Sequence, residues 1–90
     1  MAAYHLFRIL WSDEWAGHHE HSIPLLVILR RELRQDNGRT SKLIFMERQT
    51  MPAICNMLRS IHLHGEPVFV QIDQGEIQNV STVFPGLLDI

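Results

Sequence analysis

The longest uninterrupted apolar run in this chain is five residues, Leu25-Leu26-Val27-Ile28-Leu29. A bilayer-crossing helix needs about 20 predominantly apolar residues, so no membrane association is expected. The apolar side chains come instead in short stretches, "YHLFRILW", "PLLVILRRELRQ", "KLIFMER" and "PVFVQID", separated by polar and turn-forming residues. Such a chain buries its hydrophobic material only by packing short elements against one another. With 90 residues, 46% of them apolar, there is material for one core and therefore one domain, 1–90.

Eight Lys and Arg stand against ten Asp and Glu, a formal net charge of −2. A chain without a basic excess lacks the electrostatic footprint that phosphate backbones require, so no nucleic-acid partner is expected. Arg30, Arg31 and Arg34, with Glu32 between them, read as the solvated side of a helix. Cys55 is the sole cysteine, which excludes an internal disulfide and a CxxC redox or zinc pair and suits a reducing, cytoplasmic setting. The N-terminal residues show no basic region followed by an extended apolar segment, so no leader peptide is expected.

Tyr4 to Trp11 is aromatic and aliphatic without a helical stripe, as in a strand buried on both faces. Pro24 to Gln35 carries apolar residues at Leu25, Leu26, Ile28, Leu29 and Leu33 and ends at Asp36-Asn37-Gly38, which predicts a helix, beginning as early as His18 with Pro24 as a kink. Lys42 to Arg48 predicts a second strand parallel to the first. Thr50 is a plausible N-cap for a helix from Pro52 to about His62. Pro67 to Asp73 and Glu76 to Phe84 predict a closing hairpin through the Asp73-Gln74-Gly75-Glu76 turn.

Two separated motifs resemble the thioredoxin family. Trp15-Ala16-Gly17-His18-His19-Glu20 follows that family's W-C-G-P-C-K pattern, with Pro24 at the distance of its kinking proline. Gly65-Glu66-Pro67, followed by a strand and a glycine turn at Gly75, is similar to its cis-proline segment. The resemblance covers residues 4 to 84 and implies a thioredoxin-like α/β fold: a central four-stranded mixed sheet in the order β-α-β-α-β-β, flanked by two main helices, with cis-Pro67 and without the family's C-terminal helix.

The departures bear on function. Disulfide exchange needs a low-pKa attacking thiolate and a resolving thiol, but Ala16 and His19 stand at those positions and Leu10 where the family keeps a buried aspartate. The resemblance therefore implies a redox-inactive member, not an enzyme, without a cofactor. Such a member binds protein through Trp15, Ala16, Gly17, His18, His19, Glu66 and Pro67, because strand addition beside the proline needs no sulfur. The partner is another protein or a second copy, as in a homodimer. Two helices cannot cover both faces of a four-stranded sheet, so apolar sheet surface is expected to stay exposed.

An alternative is a metal site built from His18, His19 and His21 and completed by His64 or Glu66. On a helix only His18 and His21 share a face, so a third ligand must come from elsewhere. Acid-base chemistry by a His19 and Glu66 pair is a third reading, with no nucleophile closer than Ser12 or Ser22. Cys55, among Ile54, Met57 and Leu58, reads as a packing residue.

Overall fold

The computed structural model describes residues 2–11 and 25–89. Five strands are present among them: β1 (Ala2–Leu10), β2 (Leu25–Gln35), β3 (Gly38–Gln49), β4 (Val68–Ile72) and β5 (Ile77–Asn79). Two helices accompany them, α1 (Met51–Leu63) and the single turn α2 (Val80–Val83). The strands form one mixed sheet in the order β3-β2-β1-β4-β5. β1, β2 and β3 are an antiparallel meander, β4 returns beside β1 in parallel, and β5 closes a hairpin on β4.

The pleat gives the sheet two unlike faces, because residues directly opposite across strands share a face and their chain neighbours take the other. The register pairs Phe7 with Leu29 and Val70, and Ile9 with Val27 and Ile72. This inner face is covered by α1. Met51, Ile54, Cys55, Leu58 and Ile61 recur at helical spacing, and Ile54 and Leu58 are fully buried against Phe7, Val27, Val68 and Val70. Each such side chain contributes roughly 1.5–3 kcal/mol through its removal from water. Val80 of α2 and Leu87 join the same cluster, and Arg59 Nε ties α1 to the Leu87 carbonyl at 3.0 Å. The outer face, by contrast, meets neither helix.

Several sequence expectations are met. The fold is mixed α/β, and α1 starts after Thr50 with Pro52 in its first turn and ends at Leu63, close to the expected His62, with Gly65 just beyond its C-cap at a φ of +90° that suits glycine. The final hairpin turns at Asp73 to Gly75, where Gly75 N donates to the Ile72 carbonyl at 3.0 Å. Apolar sheet surface does remain exposed.

Others are corrected. Leu25–Gln35 is a strand rather than a helix, wedged between β1 and β3. Its apolar run fits both periods, and the two neighbouring strands that satisfy its backbone decide between them. Asp36-Asn37 is accordingly a two-residue hairpin loop, and Gly38, at φ +142°, begins β3. Residues 42 to 48 lie within β3, antiparallel to β2 and not paired with β1. Among the described residues the sheet has five strands rather than four, and a thioredoxin-like topology is not confirmed. The Glu66–Pro67 peptide is trans, since the described residues contain no cis bond. Residues 80–83 form a helical turn instead of prolonging the last strand, because the Asn79 side chain caps it, accepting from Ser81 N at 3.0 Å. Both described helices share one face, with Val80 of α2 in the same buried cluster as Ile54 and Leu58 of α1.

Candidate functional site

Glu66 and Pro67 sit just ahead of β4, where the chain passes beside β1. His5 N donates to the Pro67 carbonyl at 2.9 Å, which anchors the segment at the edge between the two faces. Each face carries a distinct recess beside it.

On the inner face, Glu66 meets Arg31 of β2. Arg31 Nε donates to Oε1 at 2.9 Å and to Oε2 at 3.3 Å, and its NH2 group donates to Oε2 at 2.8 Å. This fork geometry is the stronger form of guanidinium–carboxylate contact. The Arg31 hydrogen bonds hold the Glu66 carboxyl below the usual carboxylate range, and Glu66 in turn raises the Arg31 guanidinium. His5 Nδ1 lies 3.5 Å from Glu66 Oε1 without a hydrogen bond. Burial lowers the His5 pKa below its usual 6.5; the Glu66 charge opposes that shift and Arg31 reinforces it. His64 Nδ1–H donates to the Ser60 carbonyl at 2.7 Å, and the recess between them holds about 360 Å³.

Chemically, this cluster is an ion pair at the rim of the core. A carboxylate committed to a bidentate arginine and shifted toward ionisation is a weak base. Glu66 is thus poorly placed for acid-base work. No group of three or more His, Cys, Asp or Glu among the described residues could hold a metal ion. His64 and Glu66 therefore supply no such site with their described neighbours. Cys55 is half-buried and packs against the core.

The outer recess is a groove of about 450 Å³ lined by Ala2, Ala3, Tyr4, Arg34, Pro67, Phe69 and Ile77. Tyr4 and Phe69 meet edge to face, with ring centroids 5.3 Å apart at 84°. The outer face exposes Ile77 (54%) at this groove and, beyond it, Leu43 (45%) and Met46 (58%). These side chains share that face by register, since Leu43 opposes Arg30, Met46 opposes Ile28 and Ile77 opposes Gln71.

Of the residues singled out from sequence, Glu66 and Pro67 are brought to one junction, and His64 lies beside Glu66. Trp15, Ala16, Gly17, His18, His19 and His21, with Ser12, Ser22 and Pro24, lie outside the described residues. Sequence reading missed Arg31 as the partner of Glu66, and it missed the groove of Tyr4, Arg34 and Phe69. The alternation of a strand would have exposed both, because it separates Arg31 from Arg30 and Arg34.

Comparison with protein-family models, with curated proteins and with solved structures returned no match. Among the described residues no helix is long and apolar enough to cross a membrane.

Proposed function

We propose that the chain is a non-catalytic protein-binding module that makes contact through the outer face of its sheet. One observation carries this reading: Leu43, Met46 and Ile77 stand exposed on the same face, while both helices pack on the other. Apolar surface gathered on one side of a sheet gains about 25 cal/mol per Å² when a partner removes it from water.

The face, rather than the free edge of β3, is the contact. Strand addition at that edge meets Lys42 and Glu47 and a register irregularity at Ile44, all devices that discourage edge pairing. Pro67 enters this reading as part of the groove wall and Glu66 as its brace through Arg31. The redox-inactive part rests on the sequence, where Ala16 and His19 supply no thiol. A partner protein and a second copy of the chain both satisfy the surface.

Affinity capture on the immobilised chain, comparing wild type with Leu43→Glu/Met46→Glu, tests this, with light scattering of each form for self-association. The expected result is a partner or a dimer that the double variant weakens tenfold or more while its circular dichroism is unchanged. A monomer whose recovered proteins are the same with both forms would overturn the proposal.

A further inference from the structure

The distribution of charge on the outer face is unlike that of the whole chain. By register, Arg34 of β2 lies directly opposite Arg39 of β3, and Glu32 lies opposite Ser41 and Tyr4 in the next row. Arg30 follows on the same face. Like charges directly opposite on neighbouring strands are destabilising, and among the described residues only one carboxylate, Glu32, stands among these three arginines.

That carboxylate is already engaged. Glu32 is 5% exposed; its Oε1 accepts from Ser41 Oγ at 2.8 Å, and Ser41 Oγ accepts from Arg30 Nε at 2.7 Å. Arg39 Nε stays 3.9 Å from Glu32 Oε2, beyond hydrogen-bond reach. Arg34 has no ion-pair partner among the described residues. The cluster therefore keeps positive charge in excess, with Arg39 61% exposed, and Arg34 also forms part of the groove wall between Tyr4 and Phe69.

Resting on the protein-binding reading of this face, we infer that the partner is an acidic polypeptide segment: its carboxylates seat on Arg34 and Arg39, and an apolar side chain enters the Tyr4–Phe69 groove. Guanidinium forks match carboxylates in plane and in number of donors, and an anion between Arg34 and Arg39 relieves the repulsion that the free chain carries. The aliphatic wall, made by Ala2, Ala3, Pro67 and Ile77, suits a Leu, Ile or Phe side chain. A nucleic-acid strand fits less well. Tyr4 and Phe69 pack edge to face on each other instead of offering a flat stacking platform.

Fluorescence anisotropy distinguishes these outcomes. The probes are a labelled 12-residue peptide alternating Glu with Leu and Phe, the same peptide with Gln for Glu, and a 12-nucleotide single-stranded RNA of mixed sequence. Wild type should bind the Glu peptide at least tenfold more tightly than the Gln peptide, with affinity falling as salt rises. Arg34→Gln/Arg39→Gln should lose tenfold or more for the Glu peptide and nothing for the Gln peptide. Since both arginines are on the surface, melting curves confirm that the variant is folded, and the Gln peptide tests the chemistry without altering the protein.

Equal binding of the two peptides, tighter binding of the RNA, or no binding of the Glu peptide overturns the inference. If Leu43→Glu/Met46→Glu weakens the peptides while the arginine variant does not, the acidic chemistry is wrong and the protein-binding reading survives. If neither variant weakens them, both are wrong.

Discussion

Arg30 and Arg31 are neighbours in the chain and face opposite sides of the sheet, and their surroundings differ in how charge is met. Arg31 lies on the helix side, where Glu66 takes its guanidinium through three contacts of 2.8–3.3 Å. It faces a second cation, Lys42, across β3, but its own charge is already matched. Arg30 lies on the outer side with Arg34 and Arg39, where among the described residues Glu32 is the one carboxylate near them and only Arg39 comes within ion-pair distance of it. Among the described residues the inner face thus has its central apolar side chains packed under α1 and its arginine matched, although Ile72 at its margin is 41% exposed, while the outer face carries exposed Leu43, Met46 and Ile77 and unmatched charge. A surface left incomplete in two independent ways is better explained by a partner than by either shortfall alone.

The strongest way to break this comparison is to probe packing on each face. Leu58→Ala removes a fully buried side chain from the inner cluster and should cost about 2–5 kcal/mol, the range for large-to-small core changes. Leu43→Ala on the outer face should stay within about 0.5 kcal/mol, as for a surface site. Denaturant titration of both variants measures the difference. Comparable losses would mean that the outer face is packed in the free chain, and the case for an open surface would fail.

How far the sequence foretold these faces depends on the segment. α1 was legible because Pro52 opens it, Gly65 closes it and apolar residues keep one stripe between. The last hairpin was legible because Asp73-Gln74-Gly75 is strong turn chemistry between alternating residues. Leu25–Gln35 was not. Its Leu25, Leu26, Ile28, Leu29 and Leu33 make a helical stripe, while Leu25, Val27, Leu29 and Leu33 make a strand's alternation. Only pairing with β1 and β3, which the segment's own residues do not encode, settles the ambiguity. From that one misreading the three arginines merged into a single solvated helix face, which hid both the Arg31–Glu66 pair and the Arg34–Arg39 opposition. Glu66 and Pro67 were found through a resemblance, but their surroundings depend on β1 and β2 and were out of reach.

A second, smaller effect concerns His5, at the rim of the closed face. Burial lowers its pKa in the folded chain, so between that value and the usual 6.5 the unfolded chain binds the extra proton. Stability is then complete above about pH 6.5 and declines as pH falls through this window, with a slope of at most about 1.4 kcal/mol per pH unit for one proton. The Glu66 carboxyl, also lowered, adds stability that is present above its unfolded value and is lost as pH falls through its folded one. Melting temperatures from pH 7.5 to 5 should therefore show a decline that His5→Gln flattens, leaving the acid limb of Glu66. An unchanged profile in His5→Gln would remove His5 from this account.

The smallest effect bears most directly on the open face. Arg34→Gln removes one member of the opposed pair and, unlike most substitutions, should stabilise the free chain, by about 0.2–1 kcal/mol at low ionic strength. The gain should vanish near 1 M salt, where the screening length is only about 3 Å, because it comes from relieved repulsion rather than new packing. Chemical denaturation with urea, which adds no charge, resolves it at both ionic strengths. A loss of stability at low salt would mean that Arg34 already has a stabilising role in the free chain. The excess charge would then belong to the fold, and an acidic partner would no longer be needed to explain why two arginines face each other across β2 and β3.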